Sequence, residues 1–382
     1  MEQLKGQAGA VGAASVATPA AASPSGQEQT ALARARSAIA SLTTPNGFYA
    51  GNDYRQYWTR DVGYSAEVLI AAGYGDTVEA HLKEIFENVS STGEIPARVQ
   101  TRAGQIHALD PLLWAKSLEY RGKHALDHHK EFASNYHPGE ADNPLIFLVT
   151  VKTFERLTGK KEFTENDGEK ISRILQLVET LKDKRGMIAG SGWFDAMMNY
   201  RGKYTLHNQI WLYKMYKEFG MQDGMQTTKG LLENFWSAEK GYYVDYENGD
   251  HLDTLSNAML LEEDLVPEGR VGAILAAFEK VRTEYGYLNL YPTYPESVCY
   301  ERLYKYQNST IWPFVEYHLA KVFVKYGKSD EARGIETMMA ARKGVNEWYS
   351  PIDGKPDGSK AQLWTAAAYL GVAALDGGGA AR

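Results

Sequence analysis

The chain has 382 residues, 44% hydrophobic and 23% charged, with a formal net charge of −7. The negative balance repels polyanions and excludes nucleic acid as a partner, because phosphate binding needs clustered Lys and Arg. The single cysteine, Cys299, rules out an intramolecular disulfide and a cysteine-based zinc site, and apolar runs such as 145–151 are too short to cross a bilayer, which excludes a membrane partner.

Residues 1–28 are rich in Ala, Gly and Ser and lack the basic start and large apolar run of a secretory signal, so they read as a flexible leader. Together with cysteine poverty this points to a cytoplasmic location. From about Gln29 the pattern is helical, with apolar residues three and four apart over 65–72, 76–88, 145–157, 170–182, 209–219, 271–285, 312–326 and 329–341. Strand-like alternation is confined to 241–246 and 287–291.

One phrase recurs at 72–76, 157–161, 219–223 and 326–330: a helix ends, a glycine follows, and a short polar step enters the next helix. Glycine suits the left-handed residue after a helix, and Asp or Ser can cap the next one. The stretches between pairs, 90–108, 183–206 and 289–307, are long and rich in Gly, Pro, Trp and Tyr. Unevenly spaced turns argue against an open solenoid, which keeps a fixed period. The expected fold is all-α: a closed (α/α) barrel with long active-site loops at one end. No linker splits the chain, so 29–376 is expected to form a single domain, with 377–382 a flexible tail.

Three segments carry chemistry. In 54–61 (Tyr-Arg-Gln-Tyr-Trp-Thr-Arg-Asp), Trp58 can offer an aromatic platform, and Arg60 can hold Asp61 ionised to accept sugar hydroxyls; Asp61 can equally be the N-cap of a helix beginning near Val62. In 191–195, Asp195 follows Trp193 and Phe194; partial desolvation there raises a carboxyl as a general acid requires, while the plainer reading is a solvated rim aspartate. In 346–366, Glu347, Gln362 and Trp364 surround a Pro/Gly hairpin, as a site or as a surface hairpin. His124 and His128 stand one helical turn apart but lack the glutamate of a zinc-protease motif, so no metal is expected.

In this order the segments resemble those of the (α/α)6-barrel glycosidases: the glucosidase domain of glycogen debranching enzymes, the processing α-glucosidase family that includes mannosylglycerate hydrolases, the trehalases and the alkaline/neutral invertases. Trp58-Thr-Arg60-Asp61 is similar to the Trp-x-Arg-Asp that opens their barrels, and Asp142-Asn-Pro-Leu-Ile-Phe147 to an Asp-x-x-Pro-Leu-Phe helix start. Gly192-Trp-Phe-Asp195 resembles the loop of the general acid, and 306–313 a Tyr-His/Gln-Asn-Gly-x-x-Trp-Pro helix start. Glu347, Asp353-Gly354 and Gln362-Leu-Trp-Thr-Ala366 resemble the base loop. Three departures stand out: Phe194 is inserted before Asp195, Ser309 replaces the usual Gly, and His207-Asn-Gln209 stands where debranching enzymes carry a glutamate.

The resemblance implies that the barrel is an (α/α)6 barrel, or six-hairpin toroid, and that the chain is an inverting, exo-acting hydrolase of a terminal α-linked glucose or mannose on a small glycoside or oligosaccharide, free of cofactors. It implies Asp195 as acid with a raised pKa and Glu347 as ionised base. Tyr54, Trp58, Arg60, Asp61, Asp142, Trp193, His207, Gln209, Gln307, Trp312, Gln362 and Trp364 are the expected substrate contacts. The partner is a small carbohydrate, and the sequence leaves the oligomeric state open. Two other readings compete on the same toroid. A sugar isomerase or epimerase would use central histidines, and a non-catalytic carbohydrate-binding barrel would keep the indoles without needing both carboxylates.

Overall fold

A computed structural model of the chain describes residues 26–100, 134–135, 141–298 and 305–376. His124, His128, Cys299, the tail from 377 and residues 1–25 lie outside them. Among the described residues, twelve longer helices alternate in chain order between an outer and an inner layer. The outer ones are α1 (Gly26–Leu42), α3 (Gly75–Glu87), α5 (Gly168–Leu181), α7 (Gln222–Leu231), α9 (Glu268–Phe278) and α11 (Ser329–Ala341). The inner ones are α2 (Thr59–Ala71), α4 (Asp142–Thr158), α6 (Leu206–Glu218), α8 (Thr254–Glu262), α10 (Pro313–Lys325) and α12 (Leu363–Asp376). Each inner helix packs on the next, α2 on α4, α6, α8, α10 and α12 in turn, and α12 closes on α2. The fold is the expected (α/α)6 barrel.

Burial follows from position in this double ring. Outer α5 buries only the stripe Ile171, Ile174 and Val178, spaced three and four apart, and turns its remaining faces outward. Inner α4 is buried at every residue from Asp142 to Val151, and α6 at every residue from Leu206 to Tyr213, because both layers cover them. Helices joined by a tight turn run antiparallel, so the N-termini of the inner helices gather at the end where the long loops arrive. Strands are short and sit in those loops. Gln56–Trp58 pairs with Arg98–Gln100, placing Trp58 opposite Arg98, and Trp348–Tyr349 pairs with Pro356–Asp357. The strand-like stretches read from the sequence supply Tyr242–Tyr243 and Leu290–Tyr291.

Boundaries differ in three places. The first helix begins at Gly26, inside the stretch read as leader. The helix expected over 271–285 runs from Glu268 to Phe278 and tightens into a 3-10 turn at Glu279–Val281, freeing Gly286 for a positive φ of 149°. Helix α2 begins at Thr59 with Trp58 as its N-cap, so Asp61 lies within the first turn and is not the cap.

Candidate active site

The open ends of the inner helices deliver the polar residues. Arg60, in the first turn of α2, is 5% exposed and forks onto the first residue of α4: its Nε is 2.8 Å from Asp142 Oδ2 and its Nη2 3.3 Å from Asp142 Oδ1. Its Nη1 reaches Asp195 Oδ2 at 3.1 Å. One guanidinium therefore ties two inner helices to the loop that enters α6. A planar five-donor fork does this where a point charge cannot.

The loop is clamped a second time. Gln307, in the loop entering α10, donates from Nε2 to Asp195 Oδ1 at 3.0 Å and to the Trp193 carbonyl, and accepts from the Ala196 N–H at 3.0 Å. The Asp195 side chain is left 30% exposed while its neighbours Trp193 and Phe194 are buried. Phe194, inserted relative to the glycosidase motif, stacks on Tyr200 with centroids 4.6 Å apart. Tyr200 in turn donates to buried Asp245 at 2.6 Å, as Tyr294 does at 2.7 Å. The extra residue is absorbed by the core, and the Asp195 side chain stays partly exposed.

Gly192 has φ +57°, and a Cβ there would stand 2.6 Å from His207 Nδ1 and 3.0 Å from Asn208 Oδ1. Gly192→Ala is expected to strain the backbone and push this loop off α6. Activity should fall with little change in helix content, read by kinetics and circular dichroism; an unchanged kcat would show that the loop's register does not matter.

Opposite stands Glu347, in the loop entering α12. It is 1% exposed, and its carboxylate accepts from the Tyr306 hydroxyl on one oxygen and from the Ser359 N–H at 3.0 Å on the other. Tyr54 hydrogen-bonds Tyr306 in turn, and burial and neighbouring carboxylates, Glu347 foremost, push both phenols above the ordinary tyrosine value. Burial likewise pushes the Glu347 carboxyl up to about 7, outweighing the two hydrogen bonds, with the Asp195 charge adding to the rise. The expectation of a freely ionised Glu347 therefore meets a carboxyl that titrates near neutrality.

Asp61, 3% exposed, accepts from Gln362 Nε2 at 2.8 Å. Its carboxyl also lies well above the usual range, through burial first and Glu347 second, with Arg60 and Gln362 opposing. Gln362 Oε1, Trp364 Nε1 and Trp193 Nε1 are buried polar atoms without a protein partner. Half-buried Trp58 lies edge-on to Tyr54 at 6.3 Å and carries the Arg98 guanidinium over its ring at 4.9 Å.

Five expected contacts serve mainly to build the site. Asp142 is fully buried on Arg60. Gln209 spends its amide on the loop backbone, accepting from Ile188 N at 3.1 Å and donating to Ile188 O and Thr205 O at 2.8 and 3.0 Å. His207 is fully buried, with Nε2 bound to Tyr64 Oη at 2.5 Å and Trp211 Nε1 at 3.0 Å. Burial lowers its pKa to about 4, so it is neutral. Trp312 is fully buried and donates to Thr310 Oγ1 and the Tyr306 carbonyl. Gln307 is the loop clamp described above. Sequence reading passed over Tyr306, Ser359 and Arg98. Only Tyr306 had a signal, as the first residue of the 306–313 motif.

Ser309 has φ +60°, which explains why glycine is usual there; its hydroxyl donates to the Leu290 carbonyl at 2.8 Å and accepts from Thr293 at 2.9 Å. Among the described residues no cluster of His, Cys, Asp or Glu could hold a metal, and no helix is long and apolar enough to cross a membrane.

Residues 32–128 match the family model described as glycosyl hydrolases family 15. The structure is similar to that of a family 63 mannosylglycerate hydrolase from Thermus thermophilus, in complex with Tris and D-glycerate. The TM-score is 0.65 at 14% identity, covering 89% of this chain and 99% of that one. The same hydrolase in complex with glucose gives 0.64 and 15%, covering 89% and 98%. A rhamnosidase from Klebsiella oxytoca with rhamnose bound gives 0.60 and 15%, covering 92% of this chain and 64% of that one. Among curated protein sequences none matches the chain. The barrel that the motif order called for is the barrel of (α/α)6 glycosidases.

Proposed function

We propose that this protein is an exo-acting, inverting glycoside hydrolase that releases a terminal α-linked glucose or mannose from a small glycoside, with Asp195 as general acid and Glu347 as general base. The observation that carries the reading is the placement of the two carboxylates. They lie in the loops entering α6 and α12, which stand three places apart in a closed ring of six and so face each other across the barrel mouth. Inversion needs two carboxyls set apart, roughly 6.5–9.5 Å, to fit a water between the sugar and the base, and loops on opposite sides of the ring are consistent with such a gap.

Access supports this division of roles. An acid must meet a glycosidic oxygen that carries a bulky leaving group, which suits the 30% exposed side chain of Asp195. A base need only touch a water, which suits enclosed Glu347. Glu347 takes a proton from water as the water oxygen bonds to the anomeric carbon. The bond from that carbon to the bridging oxygen breaks, and the leaving oxygen takes its proton from Asp195. Exchange with bulk water resets both carboxyls. Trp58 and Tyr54 offer faces to the sugar ring, while Asp61, Gln362 Oε1 and the indole N–H groups of Trp193 and Trp364 offer hydroxyl partners. Burial of Glu347 and the Arg60 contact to Asp195 favour a second reading, in which Glu347 is the acid and Asp195 the base.

The test of activity is proton NMR of the sugar released from a panel of α-glucosides, α-mannosides and sucrose. A β-anomer appearing first is expected. An α-anomer first means retention, and no release from any member removes the hydrolase reading.

The pH profile is a separate prediction. A base must be ionised, and kcat/KM reports the free enzyme. With Glu347 at about 7, kcat/KM is expected to fall as pH drops through that value. The Tyr306 hydrogen bond holds Glu347 down, so Tyr306→Phe should move this acid limb to higher pH. A limb that stays in place would take Glu347 out of the base role.

A further inference from the structure

Tyr64 on α2 closes the floor of the barrel. Its ring lies among those of Trp211, Phe314 and Trp364, with centroids 5.1–6.3 Å away, and its hydroxyl is tied to His207. Beneath it a cavity of about 70 Å³ continues between α2, α4, α6, α8 and α10, lined by half-buried Lys214 and Lys321 and by exposed Glu67. It is lined from the middle and the C-terminal halves of the inner helices, away from the loops that bear Asp195 and Glu347.

The polar lining has a definite hydrogen-bond character. His318 is 7% exposed, and its Nδ1 lies 2.7 Å from Glu262 Oε1. Burial alone would raise Glu262, yet His318 and Lys321 outweigh it and hold the carboxyl down at about 2, so it is ionised and only accepts. Nδ1 therefore carries the imidazole proton. Burial, opposed by Glu262, keeps the ring below the usual histidine value, hence neutral. That leaves Nε2, buried and without a partner, as a bare acceptor beside the cavity.

The ammonium groups supply the complement. Lys321 Nζ is 2.8 Å from Glu262 Oε2 and 4.9 Å from the Tyr317 ring centroid. Lys214 Nζ is 2.9 Å from Glu263 Oε1 and 5.1 Å from the Trp211 ring centroid. An ammonium has three donors, so each keeps N–H groups beyond its ion pair. Both charges are already balanced by a carboxylate. An anion would also set its lone pairs against Nε2 of His318. The ligand that matches is neutral, carries hydroxyls able to donate to Nε2 and accept from the lysines, and has an apolar face for Tyr64, Trp211 and Tyr317.

We infer that this cavity is a second carbohydrate site, binding a small polyol such as glycerol, or one edge of a monosaccharide, beneath Tyr64 on the side away from the loops. The inference does not depend on the hydrolase reading.

The test is a titration of the full chain, methyl-labelled at Met and Thr, with D-glucose, D-mannose, glycerol and, separately, inorganic phosphate. Met259 and Thr153 line the cavity and report occupancy. Saturable shifts with the sugars or glycerol are expected, unchanged in Glu347→Ala. Lys214→Met should weaken them about tenfold, a loss of about 1.4 kcal/mol; Glu263 keeps its Lys217 partner at 2.8 Å, so the fold is spared. Thr153→Phe, which fills the cavity, should abolish them. Absence of shifts at high sugar concentration overturns the inference. So do shifts lost in Glu347→Ala but kept in Lys214→Met, which would come from the upper site, and a response to phosphate alone.

Discussion

Glu347→Ala is expected to lose roughly 10²–10⁴-fold in kcat on a glycoside with an alcohol leaving group, the usual contribution of a positioned acid or base. The loss alone does not say which carboxylate is which, since Asp195→Ala should do as much. An α-glycosyl fluoride separates them, because fluoride leaves without a proton. With Asp195 as acid, Asp195→Ala should hydrolyse the fluoride within about tenfold of the parent while Glu347→Ala stays inactive. Azide should then restore Glu347→Ala and yield a β-glycosyl azide, its nucleophile needing no base. The opposite pattern, with Glu347→Ala active on the fluoride and Asp195→Ala dead, would exchange the roles, as burial of Glu347 and the Arg60 contact to Asp195 suggest.

The same variant carries a stability signature. Burial raises the Glu347 carboxyl from the ordinary 4.5 to about 7. A carboxyl that binds its proton more tightly when folded makes the fold less stable as pH rises from the unfolded value through the folded one, by roughly 3 kcal/mol here. Removing it strands the Tyr306 hydroxyl and the Ser359 N–H, a cost of about 1–3 kcal/mol at any pH. The Tm difference between Glu347→Ala and the parent should therefore shift in the variant's favour as pH rises from about 5 to about 8. A difference that does not vary with pH would mean that Glu347 is not protonated near neutrality in the fold.

What was legible in the sequence follows from what repeats. The three-and-four spacing and the recurring turn glycines made four of the hairpins legible, and the resemblance supplied the number six. Helix α8 was not legible, because Thr254–Leu261 is buried at every residue and shows no stripe. Motif order singled out Asp195, Glu347, Arg60 and Asp61 as candidates, since each stands near an indole or at a helix entry. Their partners were another matter. Tyr306 lies 41 positions from Glu347, and Arg98 meets Trp58 only through a strand pair. Nothing local marks such contacts. The same limit explains Gln209 and Trp312: polar and aromatic residues at a helix entry look alike whether they face a ligand or hold the entering loop.

Arg60 is where the fold and the site depend on one side chain, and Arg60→Met is expected to cost about 3–5 kcal/mol at neutral pH, the usual result of removing one partner from a buried ion cluster. Asp142, with no exposure, would keep none of the guanidinium bonds seen at 2.8 and 3.3 Å, and Asp61, at 3% exposure, would lose the nearby positive charge that opposes the rise of its carboxyl. Neither can be reached by water without opening α2 from α4. Protonation is the remaining relief, so the deficit should shrink on acidification, and Arg60→Met with Asp142→Asn should recover part of the loss, since the two changes act on one contact. Arg60→Lys separates charge from geometry. One ammonium can neutralise Asp142 but cannot also hold Asp195 in the plane of a fork. Denaturant unfolding should place Arg60→Lys near the parent, while kcat falls toward that of Arg60→Met. Equal stability of Arg60→Met and the parent would show that α2 and α4 are held by packing alone, and a fully active Arg60→Lys would show that the guanidinium does not position Asp195.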